Sequence, residues 1–201
     1  MNLKWIANII LFLLLLCNVL ILWIFHEPKK KFIIDINDKF NQQYFYENYK
    51  ASVLSNKIIA NDSEVFFGID SLESFNISKL ITTDILVFRF SGNFCNGCNE
   101  FVINKLKEHF DNFYKNDKIV FLGKNLSPRL KDNYFGKKVL SYKRDNLGLP
   151  FEESDFPVMF VLDENKLVKM VFLPDRTFPG YFDSYLKYIK ESGIGEYELH
   201  D

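Results

Sequence analysis

Residues 85–98 read ILVFRFSGNFCNGC and hold the two features of the sequence that say most about the fold. The first part, Ile85–Phe90, is a nearly continuous apolar run, which is typical of a strand covered on both faces. The stretch ends in the pair Cys95 and Cys98, and apolar residues then recur at helical spacing as far as Phe113. It therefore predicts a central strand, a short loop, and a helix that begins at the two cysteines.

A second strand is predicted directly after this helix. Residues 115–117 read Lys-Asn-Asp and favour a turn, and residues 118–122 read Lys-Ile-Val-Phe-Leu, which favours a strand. Two strands joined by a helix run parallel, and the crossover between them is right-handed. The sequence thus predicts a β–α–β unit with the cysteine pair at the start of its helix.

Further elements are predicted on both sides of this unit. Before it we expect two short strands, 57–60 and 65–69, joined by hairpin-turn residues at 61–63. After it we expect the following elements: a short helix from Ser127 to near Gly136, a strand at 139–142, a strand hairpin over 156–172, and a closing helix after Pro179.

The composition excludes some classes of protein. The chain has 201 residues, of which 48% are hydrophobic and 25% charged, and its net charge is −1. Such a chain can bury a core, and it lacks the strong positive field on which nucleic-acid binding depends. We therefore expect a folded domain that does not bind nucleic acid.

The block Trp5–Phe25 contains no charged residue. As a helix with a rise of 1.5 Å per residue it would be about 31 Å long, close to the hydrocarbon thickness of a bilayer. Trp5 and Trp23 lie near its ends, where indole rings prefer the membrane interface. A cleaved signal peptide would need a shorter apolar region and a small-residue cleavage site. We predict a transmembrane anchor at residues 1–26.

The charges that flank the predicted anchor do not decide on which side of the membrane the rest of the chain lies. Lys29, Lys30 and Lys31 follow the anchor, whereas only Lys4 precedes it, and the positive-inside rule alone would place the rest of the chain in the cytoplasm. We predict a linker or amphipathic segment at 27–54, lying on the domain or on the bilayer, then a domain at 55–192 and a tail at 193–201.

The cysteine pair is the candidate catalytic group. The unpaired N–H groups and the dipole at a helix N-terminus stabilise a thiolate, which makes Cys95 the nucleophile. Cys98 lies one turn further on and can attack a mixed disulfide at Cys95. A zinc site is an alternative, but it needs about four ligands and only His109 is a nearby candidate. A purely structural disulfide is the other alternative. We expect no metal and no cofactor.

The order of strand, Phe-Cys-x-x-Cys, helix, strand, Phe156-Pro157 before a hairpin, and closing helix resembles the thioredoxin superfamily, and within it the membrane-anchored TlpA-like redoxins. The resemblance covers roughly residues 55–192. It implies a central mixed sheet flanked by helices, after one transmembrane helix. It also implies thiol–disulfide exchange with protein thiols or disulfides and with an upstream redox partner, at a bacterial inner membrane with the domain on the extracytoplasmic side.

The resemblance also implies roles for residues around the pair. Pro157 matches the position of a cis-proline that packs beside the reactive disulfide in that family. The expected substrate groove consists of Phe94, Asn96, Gly97 and Phe156.

The chain departs from the family pattern at several of these positions. Phe94 replaces a usual Trp, Asn96-Gly97 replaces Gly-Pro, and Arg89 replaces a buried acid. Arg89 would tune the thiol pKa if it approached the sulfurs and would do nothing if it extended outward. We expect the outward orientation.

Two other functions are compatible with the same fold. Peroxiredoxins carry Thr or Ser three residues before the peroxidatic cysteine, where this chain has Gly92, so a peroxidase is disfavoured. A non-catalytic binding module at the membrane would tolerate the loss of either cysteine. The sequence does not indicate whether the pair would act as a reductant or an oxidant, since known couples span about −270 to −120 mV.

Overall fold

The structure is a computed structural model that describes residues 3–55, 57–68, 73–127, 133–142 and 146–195. Within the first range, side chains are described for Trp5, for residues 12–20 and for residues 39–55. The chain divides into two compact units, Met1–Tyr46 and Glu47–Asp201.

The first element is a single long helix, α1 (Leu3–Ser55). It covers residues 3–26 of the predicted anchor and the whole of the predicted segment 27–54. Within the described part of the chain, no helix is both long and apolar enough to cross a membrane. The side chains at 6–11 and 21–25, which belong to the predicted anchor, lie outside the described residues.

The second unit is built on a mixed sheet flanked by helices. Its elements are, in chain order, β1 (Glu64–Phe67), β2 (Ser74–Asn76), a 3-10 helix (Ile77–Leu80), β3 (Ile85–Ser91), α2 (Asn96–His109), β4 (Ile119–Lys124), β5 (Asn133–Tyr134), β6 (Lys137–Tyr142), β7 (Val158–Leu162), β8 (Val168–Phe172) and α3 (Pro179–Glu191). The strands lie in the order β2-β1-β6-β4-β3-β7-β8, and β5 pairs with β6.

The strand directions are those of a thioredoxin-like fold. β3 pairs in parallel with β4 and antiparallel with β7, and β4 pairs in parallel with β6. β7 and β8 form the antiparallel hairpin that was predicted, and α3 closes the chain. The predicted α/β class, the β–α–β unit, the hairpin and the closing helix are thus confirmed.

β3 is central because both of its faces are covered. Leu86, Phe88 and Phe90 join one apolar cluster with α2 and α3, whereas Ile85 and Val87 join a second cluster on the other face. Alternation of side chains along a strand produces this division. Each fully buried side chain of this size contributes about 1.5–3 kcal/mol of burial free energy, so the strand that leads to Cys95 is firmly held.

The predicted hairpin over 57–69 is wrong. Ile59 instead forms an isolated bridge with Leu167, and β1 pairs with β2 and β6. The physical reason is that the turn residues have other partners: Asp62 Oδ1 accepts a hydrogen bond from Ser78 N at 3.0 Å, and the Ser63 carbonyl accepts one from Ile77 N at 3.0 Å. These bonds direct the chain toward the 3-10 helix rather than back along 57–60.

The predicted short helix from Ser127 to Gly136 is not found in its described part. Residues 128–132 lie outside the described residues, and Asn133–Tyr134 form β5, which pairs with β6. The Asn133 side chain accepts a hydrogen bond from Gly136 N at 2.8 Å, and this closes a tight strand-to-strand turn where the helix end was expected.

Candidate active site

The loop between β3 and α2 is held against the neighbouring strand. Gly92 N donates to the Lys124 carbonyl at 2.8 Å, and Phe94 N donates to the Ser91 carbonyl at 3.2 Å. A Cβ at Gly92 would lie 2.4 Å from the Asn125 carbonyl oxygen, so a residue with a side chain could not take this path without displacing the backbone. The loop geometry therefore requires glycine at the position where peroxiredoxins carry Thr or Ser.

This loop places Cys95 at the N-cap of α2. The Cys95 carbonyl accepts hydrogen bonds from Cys98 N at 3.0 Å and from Asn99 N at 3.2 Å, which close the first turn. Both cysteines are free thiols; Cys95 is exposed and Cys98 is half-buried. The first sulfur is thus accessible and the second is recessed one turn later, an arrangement that suits a nucleophile and a resolving cysteine.

The two thiols differ in pKa. The pKa of Cys95 is lowered, first by a hydrogen bond from the Cys98 thiol and further by the charge of Arg176. The pKa of Cys98 is raised to about 11, first by burial and then by the adjacent Cys95 sulfur. When the pair loses its first proton, the Cys95 sulfur is therefore the one that becomes a thiolate, and it accepts a hydrogen bond from the neutral thiol of Cys98.

The predicted groove residues lie around the pair. The rings of Phe94 and Phe156 meet edge to face with centroids 5.1 Å apart, and Phe156 is 60% exposed. Asn96 and Gly97 are exposed in the first turn of α2. Pro157 is buried and lies between Phe156 and the first residue of β7.

The peptide bond before Pro157 differs from what the resemblance implies. The described part of the chain contains no cis peptide bond, so Phe156–Pro157 is trans. The trans form is also the one that X–Pro bonds favour by about 0.5–1 kcal/mol.

The expectation that Arg89 extends outward is wrong. Its side chain is 0% exposed, and its guanidinium donates to the carbonyls of Ser154, Phe156 and Glu152. Its Nε lies 3.9 Å from Glu152 Oε2. The reason is that β3 is covered on both faces, so the charge has no route to water and is compensated by these acceptors. Arg89 thus holds the segment that leads to Phe156.

Glu152 completes this buried group and was not predicted. It is 2% exposed, its carboxylate accepts a hydrogen bond from Tyr142 at 2.9 Å, and its carbonyl accepts one from Lys124 Nζ at 3.0 Å. Burial raises its pKa against the lowering effects of Tyr142 and Arg89. No sequence motif marked this residue, because its partners come from three separate strands.

Arg176 is the other functional residue that the sequence did not reveal. Its Nη1 lies 3.7 Å from the point that a Cβ at Gly97 would occupy, and Cys95 Sγ lies 4.0 Å from the same point. The turn that carries it is closed by Asp175, whose carboxylate accepts from Thr177 N at 2.7 Å. The Asp-x-Thr pattern before Pro179 could have identified this turn, but not its position beside the cysteines.

The geometry does not support the zinc alternative. His109 is the last residue of α2, about 20 Å along the helix from its start at 1.5 Å per residue. Its Nε2 lies 3.0 Å from Asp183 Oδ1 on α3. The described residues contain no group of three or more His, Cys, Asp or Glu side chains that could hold a metal ion.

No protein-family model and no curated protein matches the sequence. Solved structures with a similar course of the chain include peroxiredoxin 5 from Alvinella pompejana, with 16% identity over 66% of this chain and 97% of that one at a TM-score of 0.46. A thioredoxin-like protein from Porphyromonas gingivalis has 12% identity over 70% and 95% at 0.46. The reduced 2-Cys peroxiredoxin of Plasmodium vivax has 14% identity over 69% and 98% at 0.42. These likenesses are too distant to carry an argument, and the interpretation of the site therefore rests on its own geometry.

Proposed function

We propose that the protein is a thiol–disulfide oxidoreductase in which Cys95 attacks and Cys98 resolves. The observation that carries the proposal is the contrast within the pair: an exposed sulfur of lowered pKa at a helix N-terminus, one turn before a half-buried sulfur of raised pKa. Reactive cysteines occupy such accessible, thiolate-favouring positions, whereas structural ones are buried and inert.

The first step is attack on a substrate disulfide. The Cys95 thiolate attacks one substrate sulfur, a Cys95–substrate disulfide forms, and the other substrate sulfur leaves as a thiolate. The backbone N–H groups of Gly97 and Cys98 at the start of α2 and the positive charge of Arg176 favour the anionic form of Cys95. The exposed position of Cys95 lets a protein disulfide approach it.

The second step follows from the cause of the high Cys98 pKa. After burial, the adjacent Cys95 sulfur raises that pKa, both by its hydrogen bond and by its charge. When Cys95 is consumed in the mixed disulfide, its negative charge is gone and the Cys98 thiol loses its proton more readily. The Cys98 thiolate then attacks Cys95 Sγ, the Cys95–Cys98 disulfide forms, and the second substrate sulfur leaves. The Cys98 thiol is thus harder to deprotonate before the mixed disulfide has formed than after it.

A redox titration of the full chain in detergent tests this proposal, together with reduction of insulin disulfides. We expect a reversible two-electron couple within the known range of about −270 to −120 mV. Cys95→Ser should abolish the activity, and Lys187→Gln on the exposed face of α3 is a control that should retain it. A pair that stays oxidised under strong reductant, or a Cys95→Ser variant with unchanged activity, would instead favour a non-catalytic binding module.

We further propose that the catalytic domain is tethered to a membrane by Trp5–Phe25, as in the TlpA-like redoxins. The absence of charge in this block and the continuous helical backbone of α1 support the proposal. In this proposal the domain lies on the extracytoplasmic side of a bacterial inner membrane, where disulfides persist. There the cysteine pair would exchange with the thiols or disulfides of other proteins and with an upstream redox partner. The three lysines after the block favour the opposite orientation.

Two measurements on the expressed full chain separate these possibilities. Retention in the membrane pellet after alkaline carbonate extraction, with release by detergent, is expected of an integral anchor. Protease added to spheroplasts should degrade the domain if it is extracytoplasmic and should leave it intact if the lysine flank determines the orientation. Release by carbonate would contradict the anchor.

A further inference from the structure

At the surface beside Cys95, Gly97 leaves a slot, which is the place that a side chain at this position would take. Arg176 Nη1 lies 3.7 Å and Cys95 Sγ lies 4.0 Å from the point where its Cβ would stand. A substrate group that enters this slot therefore comes close to both the guanidinium and the nucleophilic sulfur.

The cation that lines the slot is available to a ligand. Arg176 is exposed, and among the residues that the structure describes it forms no ion pair. The neighbouring carboxylate of Asp175 accepts a hydrogen bond from Thr177 N within its own turn. Arg176 therefore presents a positive charge next to the sulfur, and a carboxylate is the group that would pair with it.

An apolar contact surface lies on the other side of Cys95 along the chain. Phe94 immediately precedes the cysteine, and Phe156 packs against it edge to face while keeping most of its own surface exposed. The loop that presents Phe156 is fixed by the hydrogen bond from Arg89 to its carbonyl at 3.2 Å. A rigid, exposed aromatic ring of this kind is a favourable anchor for an apolar side chain of a partner.

We propose that Arg176 and the Phe94–Phe156 pair select, as substrate, a polypeptide whose reactive cysteine is flanked by an acidic side chain and an apolar one. The acidic side chain enters the slot above Gly97, and the apolar side chain lies on Phe156. This rests on the proposed function of the cysteine pair. A polypeptide is favoured over a small acidic disulfide because only a polypeptide supplies both contacts at once.

Peptide substrates that differ at one position test the acidic contact. The full chain in detergent is assayed for reduction of two disulfide-linked peptides, identical except for Asp or Asn beside the reactive cysteine. We expect the wild type to favour the Asp peptide by about two- to five-fold in kcat/KM at low salt, as for an exposed ion pair. In Arg176→Gln this ratio should fall to about one, and in Arg176→Lys it should be intermediate. High salt should also reduce it.

Using a ratio separates recognition from thiol activation. Loss of the Arg176 charge also raises the Cys95 pKa, but that change affects both peptides equally and cancels in the ratio. Lys187→Gln removes a cation that pairs with Glu191 on α3 and should leave the ratio unchanged. A ratio in Arg176→Gln equal to that of the wild type overturns the proposal. If the wild type reduces neither peptide, the function itself fails instead.

A second pair of peptides and one small disulfide test the apolar contact with Phe156. Two peptides are compared that carry either Leu or Ser on the other side of the reactive cysteine. In Phe156→Ala the ratio of kcat/KM for the Leu peptide to that for the Ser peptide should fall several-fold. Oxidised glutathione, a small acidic disulfide, should be affected by Arg176→Gln but not by Phe156→Ala. If Phe156→Ala leaves the Leu preference intact while Arg176→Gln affects glutathione disulfide, then the substrate is a small acidic disulfide and the polypeptide proposal is wrong.

Discussion

Two arginines in the region of the candidate site lie in opposite environments. Arg89 lies on the central strand, is fully buried, and binds three carbonyls of the segment 152–156 together with the Glu152 carboxylate. Arg176 lies in an exposed turn between β8 and α3 and lowers the Cys95 pKa by its charge alone. Burial decides the role of each arginine: the buried guanidinium fixes a loop, whereas the exposed one acts on the thiol through its charge.

The difference in burial also determines how much stability each arginine contributes. A buried charge that loses its partners, or partners that lose a buried charge, cost several kcal/mol, because the orphaned groups cannot be solvated. An exposed charge is solvated with or without a partner, so its removal changes stability little. Arg89 should therefore dominate stability, and Arg176 should dominate thiol chemistry.

Arg89→Met should have the largest effect. It removes the guanidinium donor from the carbonyls of residues 154 and 156, leaves the carbonyl of residue 152 with Lys124 as its donor, and removes the cation beside the buried Glu152 carboxylate. The expected cost is about 3–5 kcal/mol in the free energy of unfolding. Urea denaturation measures this loss.

A nearby cation provides the matched control for that variant. Lys124→Met removes a part-exposed donor to the same Glu152 carbonyl and should cost less than about 1 kcal/mol. Equal losses in the two variants would mean that burial of Arg89 is not the deciding factor.

Glu152→Gln should change the pH dependence of stability. The pKa of Glu152 is raised above its ordinary 4.5, so the folded state keeps a proton that the unfolded state has lost. The carboxyl therefore contributes stability that is fully present below pH 4.5 and is lost as the pH rises through the folded pKa, by about 1.4 kcal/mol per unit between the two values.

Comparing the pH dependence of stability of the wild type with that of Glu152→Gln separates the contribution of Glu152 from those of other acidic residues. Glutamine keeps an acceptor for the Tyr142 hydroxyl but cannot titrate. From pH 3.5 to 7.5 the variant should gain stability relative to the wild type in chemical denaturation. Parallel curves for the two proteins would argue that the pKa of Glu152 is not raised in the fold.

Arg176→Gln should have the smallest effect on stability and a specific effect on Cys95. The free energy of unfolding should change by less than about 0.5 kcal/mol, as for most exposed substitutions. The pKa of the Cys95 thiol should rise, so the pH profile of its alkylation shifts to higher pH. Mass spectrometry of timed iodoacetamide reactions measures this shift. An unchanged profile would remove Arg176 from the thiol chemistry.

Much of the fold could be predicted because the local patterns are strong. The apolar run of β3, the helical spacing of α2 and the two apolar runs of the β7–β8 hairpin each determine their element within a short stretch. The hairpin expected at 57–69 failed for the opposite reason. Its turn residues bind Ile77 and Ser78, which are distant enough in sequence that no local pattern reveals the competition.

The cysteines could be predicted, but the residues that tune and support them could not. Cys95 and Cys98 form a motif within one helical turn. Arg89 binds backbone carbonyls, which any residue supplies and which therefore leave no sequence signature. Arg176 reaches Gly97 only because the turn after β8 comes close to the start of α2 in the folded chain. The order of nucleophile and resolving cysteine is thus a sequence prediction, and its electrostatic support is a finding of the structure.

Trapping of the mixed disulfide shows which of the two cysteines attacks the substrate. Full-length Cys98→Ser and Cys95→Ser are each reduced and mixed with a disulfide-linked peptide, and the adducts are identified by mass spectrometry. We expect Cys98→Ser to accumulate a one-to-one adduct at Cys95, and Cys95→Ser to form little or none because its remaining thiol is half-buried. An adduct that forms as fast on Cys98 of the Cys95→Ser variant would contradict the assignment of nucleophile and resolving cysteine.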